Sequence, residues 1–170
     1  PSVEATATTG FTEDADAAAQ DLSDSGTVSF NDIDTNDTVS ISFAANNDIA
    51  WTGGTIDPAL ATLLVQGFST GVTDAAAPDS TGWTYDVADA DLDFLAAGES
   101  ITFSYTVTAT DSQGATDTAQ VAFTITGTND APSVEATATT GFTEDADAAA
   151  QDLSDSGTVS FNDIDTNDTV

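Results

Sequence analysis

The chain has no lysine, no arginine and no histidine against 30 aspartates and glutamates, a formal charge of −30 over 170 residues. No side-chain cation exists to pair with any carboxylate, so converging acids must hold a cation from solution or repel one another. The same field opposes nucleic acid and anionic membrane, which carry charge of the same sign. The missing residue types also remove most catalytic apparatus. Without histidine, cysteine or lysine there is no base tuned to neutral pH, no thiolate and no Schiff-base amine. A carboxylate pair acting on a glycosidic bond is what remains, and acids in exposed loops suit a metal better than a sugar cleft, so the sequence reads as a non-enzyme. The absence of cysteine excludes disulfides as a source of stability and leaves the redox compartment open. No apolar run approaches the roughly 18 residues of a membrane span, and residues 1–10 lack the basic start and apolar stretch of a signal peptide; no direct membrane insertion is expected.

What is present argues for a packed interior. Apolar residues make up 39% of the chain, including nine Phe, two Trp and two Tyr, too many for a disordered polyanion. The chain also repeats itself: residues 132–170 are identical to residues 1–39, a period of 131. Residues 1–131 therefore read as one complete repeat with its linker at 127–132, and residues 132–170 as the truncated start of the next, in an array whose units contact mainly their neighbours. Beginning and ending inside a repeat, the chain reads as a segment of something longer, with any targeting signal outside it. A unit of this period can bury a substantial core, whereas the shorter second copy holds only the first strands and should not fold alone. Because residues 40–170 also add up to one period, strands borrowed from a neighbouring molecule are one way to order it.

Period-two alternation runs through the chain. Strands are predicted over residues 2–8, 26–30, 38–44, 82–87, 101–109 and 119–126, about seven in all counting uncertain segments. The inward positions are Val28 and Phe30; Val39, Ile41 and Phe43; Trp83, Tyr85 and Val87; Ile101, Phe103, Tyr105, Val107 and Ala109; and Val121, Phe123 and Ile125. Residues 59–65 fit either a helical turn or a strand, 73–80 read as a loop, and 89–97 as one helical turn stopped by Gly98. Asp111, Ser112, Gln113 and Gly114 form a hairpin turn by residue type. Short alternating strands with turn signals and almost no helix predict an all-β, antiparallel Greek-key β-sandwich of the Ig-like kind.

Successive antiparallel strands deliver their loops alternately to the two ends of a sandwich. Glu13 and Asp14, in the acidic crossing Phe11-Thr12-Glu13-Asp14-Ala15-Asp16, then share one end with Asp91 and Asp93, while Asp32, Asp34 and Asp37 share the other with the Asp111 hairpin. Where one unit follows another, Glu13, Asp14, Asp91 and Asp93 face Asp163 and Asp165 of the next across Asn129 and Asp130. Hard cations such as Ca²⁺ take six to eight oxygen ligands from such groups. The candidate Ca²⁺ ligands are accordingly Glu13, Asp14, Asp32, Asp34, Asp37, Asp91, Asp93, Asp111, Asn129, Asp130, Asp163 and Asp165, although each taken singly is also a plain turn former. Two familiar calcium loops are absent. Asp89, Asp91 and Asp93 match the first positions of an EF-hand, but Phe94 stands in place of its glycine and Ser100 in place of its glutamate; Gly53-Gly54 leads into Thr55-Ile56-Asp57 and not a β-roll nonapeptide.

The junction Gly127-Thr128-Asn129-Asp130-Ala131-Pro132, preceded by Phe94-Leu95-Ala96-Ala97-Gly98-Glu99-Ser100 and Tyr105-Thr106-Val107-Thr108-Ala109-Thr110-Asp111-Ser112-Gln113-Gly114, resembles the tandem VCBS-type, cadherin-like extender repeats of giant bacterial RTX adhesins. The likeness spans most of the repeat, strongest over 83–132 and 26–37 and weakest over 46–80. It implies Ig-like sandwiches that bind Ca²⁺ at their junctions, partner neighbouring identical repeats of the same chain, and stiffen into a rod on a Gram-negative cell surface reached by type I secretion, holding a ligand-binding tip away from the cell. The Asn129-Asp130-x-Pro132 linker is similar to the calcium linker of cadherins, yet Gly127 and Thr128 stand where an earlier acid belongs. The rival reading is a carbohydrate- or protein-binding module acting multivalently, with Trp51 or Trp83 as a stacking platform; Trp83 equally suits the core beside Tyr85 and Val87.

Overall fold

Alternating bulky and small polar residues become strand where the sequence predicts it and in several places besides. The computed structural model describes residues 1–15, 18–147 and 149–170; Asp16 and Ala17, in the acidic crossing and the Ala-rich stretch after it, lie outside the described residues. In the first copy the elements are β1 (Ser2–Ala5), β2 (Phe11–Thr12), β3 (Gln20–Asn31), β4 (Thr38–Ala45), β5 (Ala50–Trp51), α1 (Pro58–Gln66), β6 (Phe68–Thr70), β7 (Val72–Ala76), β8 (Asp79–Ala90), β9 (Ser100–Asp111) and β10 (Thr116–Thr126). One sheet runs β1-β3-β8-β6 and the other β2-β10-β9-β4-β7, with β5 also on β9. The fold is an all-β, Ig-like sandwich.

Several elements differ from expectation for local physical reasons. The first strand stops at Ala5 because the chain there crosses between sheets: the Thr6 hydroxyl accepts from Thr27 N at 2.9 Å and from Trp83 Nε1 at 3.1 Å. Gly10, at φ 74°, completes the crossing in a conformation costly for other residues. The crossing delivers β2 alongside β10 running the same way, Phe11 opposite Ile125, so the sandwich is not wholly antiparallel. The supposed loop over 73–80 is largely strand, in β7 and the start of β8. Residues 59–65 are helical: Asp57 caps α1 by accepting from Ala59 N and Leu60 N at 2.8 and 3.2 Å, and Pro58 opens its first turn. Residues 89–97 form no helix; turns closed by Leu95 N to Leu92 O and Glu99 N to Ala96 O, each 2.9 Å, push Leu92, Leu95 and Ala96 into the end of the core. Phe43 faces inward, its ring 5.2 Å from that of Phe68, yet is 40% exposed because β7 pairs with β4 only as far as Ile41.

The interior is aromatic. Trp83, Tyr85, Tyr105 and Phe123 are fully buried between the sheets with Leu22, Leu64, Ile101 and Ile125. The two buried phenols donate to the end of α1, Tyr85 to Leu64 O at 2.9 Å and Tyr105 to Val65 O at 2.8 Å. They thereby satisfy carbonyls that the helix leaves open and seat it against the sandwich. Burial raises both phenols well above their ordinary value and keeps them protonated donors. Among the described residues no helix is long and apolar enough to cross a membrane.

In the second copy, β11 (Ser133–Ala136) pairs with β12 (Val159–Asn162), Ser133 opposite Asn162 as Ser2 is opposite Asn31. The local pairing is reproduced without its core. Val134, Leu153 and Phe161 are exposed, where their counterparts Val3, Leu22 and Phe30 are buried.

Candidate functional site

The joint between the copies is built outward from the end of β10. Gly127 N donates to Glu99 O at 3.0 Å, and the absence of a side chain lets the strand press onto the Leu92–Glu99 turns: a Cβ at Gly127 would stand 2.3 Å from Leu95 O and 2.5 Å from Ala96 O. Both obstacles are backbone, so Gly127→Ala should lower stability by about 1–3 kcal/mol, read as a reduced denaturant midpoint; an unchanged midpoint would mean that the strand does not seat there.

Beyond Gly127, Thr128 donates its N–H and hydroxyl to Glu13 Oε2 at 2.9 and 2.6 Å. Glu13 is itself held by its own N–H on Thr126 O at 2.9 Å. Asp130 N then donates to Asp165 Oδ2 of the second copy at 2.9 Å. Glu13, Asp93, Asp130 and Asp165 are all buried, and Glu13 Oε1, Asp165 Oδ1 and both carboxylate oxygens of Asp130 have no hydrogen-bond partner. Such groups are costly to bury unless compensated. The strain shows in their proton affinities. Burial, then Asp91, Asp130, Glu13 and Asp14, push Asp93 up to about 6; burial, then Glu13, Asp165, Asp163 and Asp14, raise Asp130.

Seven candidates lie within electrostatic reach of Asp93 or Asp130 at this joint, those two included: Glu13, Asp14, Asp91, Asp93, Asp130, Asp163 and Asp165. Asp14 and Asp91 stand at its exposed rim, and Asp163 Oδ1 accepts from Asp165 N at 3.2 Å. Asn129 lies in the linker but turns its amide onto Asp130 O, 2.7 Å away. The remaining four candidates lie elsewhere. Asp32 and Asp111 lie together beside Pro1, and the Asp34 N–H bond holds the Asp32 carboxyl below its ordinary value. Asp34 is exposed and Asp37 half-buried, Asp37 donating its N–H to Asp34 O at 2.9 Å to close the loop.

An all-oxygen donor set with buried, unpartnered carboxylates fits a hard divalent cation. Among the described residues no three or more acids are gathered into a ready-made cage, so the joint is an open set of oxygens, close enough to raise each other's proton affinity but not a closed shell.

Glu99 and Thr128 are contributors that the reading of acid clusters passed over. Glu99 Oε2 accepts from Trp51 Nε1 at 2.9 Å, and Glu99 Oε1 accepts from the Asn167 amide of the second copy. A lone glutamate at a strand start and a glycine pair read as a turn carry no signal of this. Only the Gly53 geometry reveals it, since a Cβ there would fall 2.4 Å from Glu99 Oε1.

No family model and no curated protein matches the chain. Solved structures similar to it include PapD-like domain 7 of human CEP192 (8% identity, TM-score 0.43, 74% of this chain and 84% of that one). The periplasmic chaperone SfaE is another (11%, 0.40, 74% and 55%), as is AggA, the major subunit of aggregative adherence fimbriae type I from Escherichia coli (11%, 0.37, 74% and 95%). At such identities no residue role carries across.

Proposed function

We propose that this chain is a spacer repeat of a bacterial cell-surface adhesin, working outside the cell, whose joints are stiffened by Ca²⁺. The observation that supports this best is the burial, at the linker, of carboxylate oxygens from both copies with neither donor nor side-chain cation to meet them: Glu13, Asp130 and Asp165. With Asp93 and Asp163 these residues would hold the ion, which supplies the positive charge that the chain lacks. Unneutralised, they repel one another; neutralised, they tie the end of one sandwich to the loop after β12 and stiffen the coupling. Sites in extracellular modules bind with dissociation constants of about 10⁻⁴–10⁻³ M, suited to a calcium-rich exterior. The rival adhesive-module reading loses its platforms, because Trp83 is buried and the Trp51 indole is committed to Glu99 with its ring edge-on to Phe94 at 4.8 Å.

The test is thermal unfolding of the whole chain, from chelator to about 10 mM calcium, with small-angle scattering in parallel. The melting temperature should rise and the joint stiffen with calcium and not with monovalent salt of equal ionic strength. Equal responses to the two salts would reduce the cluster to solubilising surface.

A further inference from the structure

The second copy's loop over 163–168 touches the preceding sandwich at two places, and only one is acidic on both sides. The other is a cleft formed by β5, the glycine after it and the start of β9. There the Asn167 amide donates to Glu99 Oε1 and, at 3.3 Å, to Gly53 O, while Thr166 N donates to Phe94 O at 3.2 Å.

The cleft is organised by the sandwich itself. Trp51 Nε1 takes one Glu99 oxygen, and the Trp51 ring is fixed edge-on against Phe94. Thr52 N on Ser100 O at 3.0 Å and Ser100 N on the Thr52 hydroxyl at 2.8 Å tie the loop after β5 to β9. Gly53, lacking a side chain, lets the Glu99 carboxylate lie directly against its backbone, where a Cβ would fall 2.4 Å from Oε1 and 2.5 Å from Oε2. In a chain without lysine, arginine or histidine, a side-chain amide is among the few groups able to donate to Oε1, and a carboxylate acceptor makes the bond stronger than a neutral one.

We propose that Trp51, Gly53, Phe94 and Glu99 form a docking cleft for the asparagine of the following repeat, a metal-independent latch that sets the rotation between successive repeats. A single contact beside a flexible linker leaves a swivel. A second contact on a different element removes it. The partner is another copy of the same loop: Asn36, the counterpart of Asn167, is exposed on the first copy and available to a preceding sandwich. The latch uses none of the acids of the joint cluster, so it stands independently of the cation reading.

The chain has no cysteine, so spin labels on Thr118→Cys and Ser160→Cys, both exposed, report the distance between the copies alone. In the labelled full chain, Asn167→Ala and Asn167→Asp should broaden the distance distribution and abolish its main peak in calcium and in chelator alike, leaving the calcium-dependent rise in melting temperature in place. Glu99→Ala should do the same; because it also frees Trp51, the exposed-loop Asn167 variants are the decisive ones. Unchanged distributions in both Asn167 variants would overturn the latch. Broadening only in chelator would also overturn it, by showing that calcium alone sets the angle. If the parent chain ignores calcium while the Asn167 variants still broaden, the latch stands and the cation reading falls.

Discussion

Phe123→Ala will lower the unfolding free energy by about 3–5 kcal/mol, a large part of the roughly 5–15 kcal/mol available to a domain. Phe123 is 1% exposed and lies among rings from both sheets: Tyr85 at 4.4 Å, Phe103 at 5.4 Å, Trp83 at 5.9 Å, Tyr105 at 6.0 Å, and Phe11 and Phe68 at 6.2 Å. These neighbours hang from four strands and cannot all close on the hole, so the cavity adds to the lost transfer energy. The repeat supplies an internal control. Phe30 and Phe161 occupy identical local sequences, one 3% and the other 60% exposed. Phe30→Ala should be costly, whereas Phe161→Ala should fall within about 0.5 kcal/mol of the parent. Denaturant unfolding followed by tryptophan fluorescence gives both numbers from the midpoint at constant slope. Equal losses at the two positions would mean that local sequence, and not burial between the sheets, sets their worth.

In chelator, stability will fall as pH rises from about 4 to about 6, the reverse of ordinary acid denaturation. Asp93 is raised from 3.8 to about 6, first by burial and then by its acidic neighbours, and Asp130 is shifted the same way. A carboxyl whose folded value exceeds its unfolded value binds its proton more tightly in the native state. Its contribution is complete below 3.8, declines through the window up to about 6, and is flat above. Asp32 is shifted the other way and loses its contribution only as pH falls below its own unfolded value, so the two windows are separate. Asp93→Asn should flatten the slope. Calcium should reverse it, because protons then compete with the ion for the same oxygens. Melting temperatures at half-unit pH steps, with chelator and with calcium, check all three; a melting temperature in chelator that climbs steadily from pH 4 to 7 would refute the assignment of buried, mutually repelling acids.

The parts of the fold legible in the sequence are those where bulky residues alternate. β9 could be read along its whole length because Ile101, Phe103, Tyr105, Val107 and Ala109 repeat at the strand period and are all buried. β7 could not, since Thr73, Asp74, Ala75 and Ala76 carry no such pattern and Asp74 sits at φ 49°, so its pairing with β4 is imposed by the sheet. The parallel β2 was equally hidden, being a two-residue strand whose direction follows from the crossing at Gly10. That Glu13 and Asp93 lie at the linker end of the sandwich, near Asp130, was legible because antiparallel strands sort loops by end, a rule needing no detail. That rule says nothing about depth. It placed Asp34 and Asp37 beside Asp111, whereas of that loop it is Asp32 that lies with Asp111 beside Pro1. It also missed Glu99, whose role depends on an indole many positions away in sequence.

The loop over 163–168 closes the same two bonds as the loop over 32–37: Asp165 N to Asp163 Oδ1 mirrors Asp34 N to Asp32 Oδ1, and Asp168 N to Asp165 O mirrors Asp37 N to Asp34 O. It does so although Val134, Leu153 and Phe161 beside it have no interior to enter. The two closing bonds are local, made by aspartates folding back on their own backbone, and the loop so closed is the part of the second copy that rests on the first, through Asp165, Thr166 and Asn167.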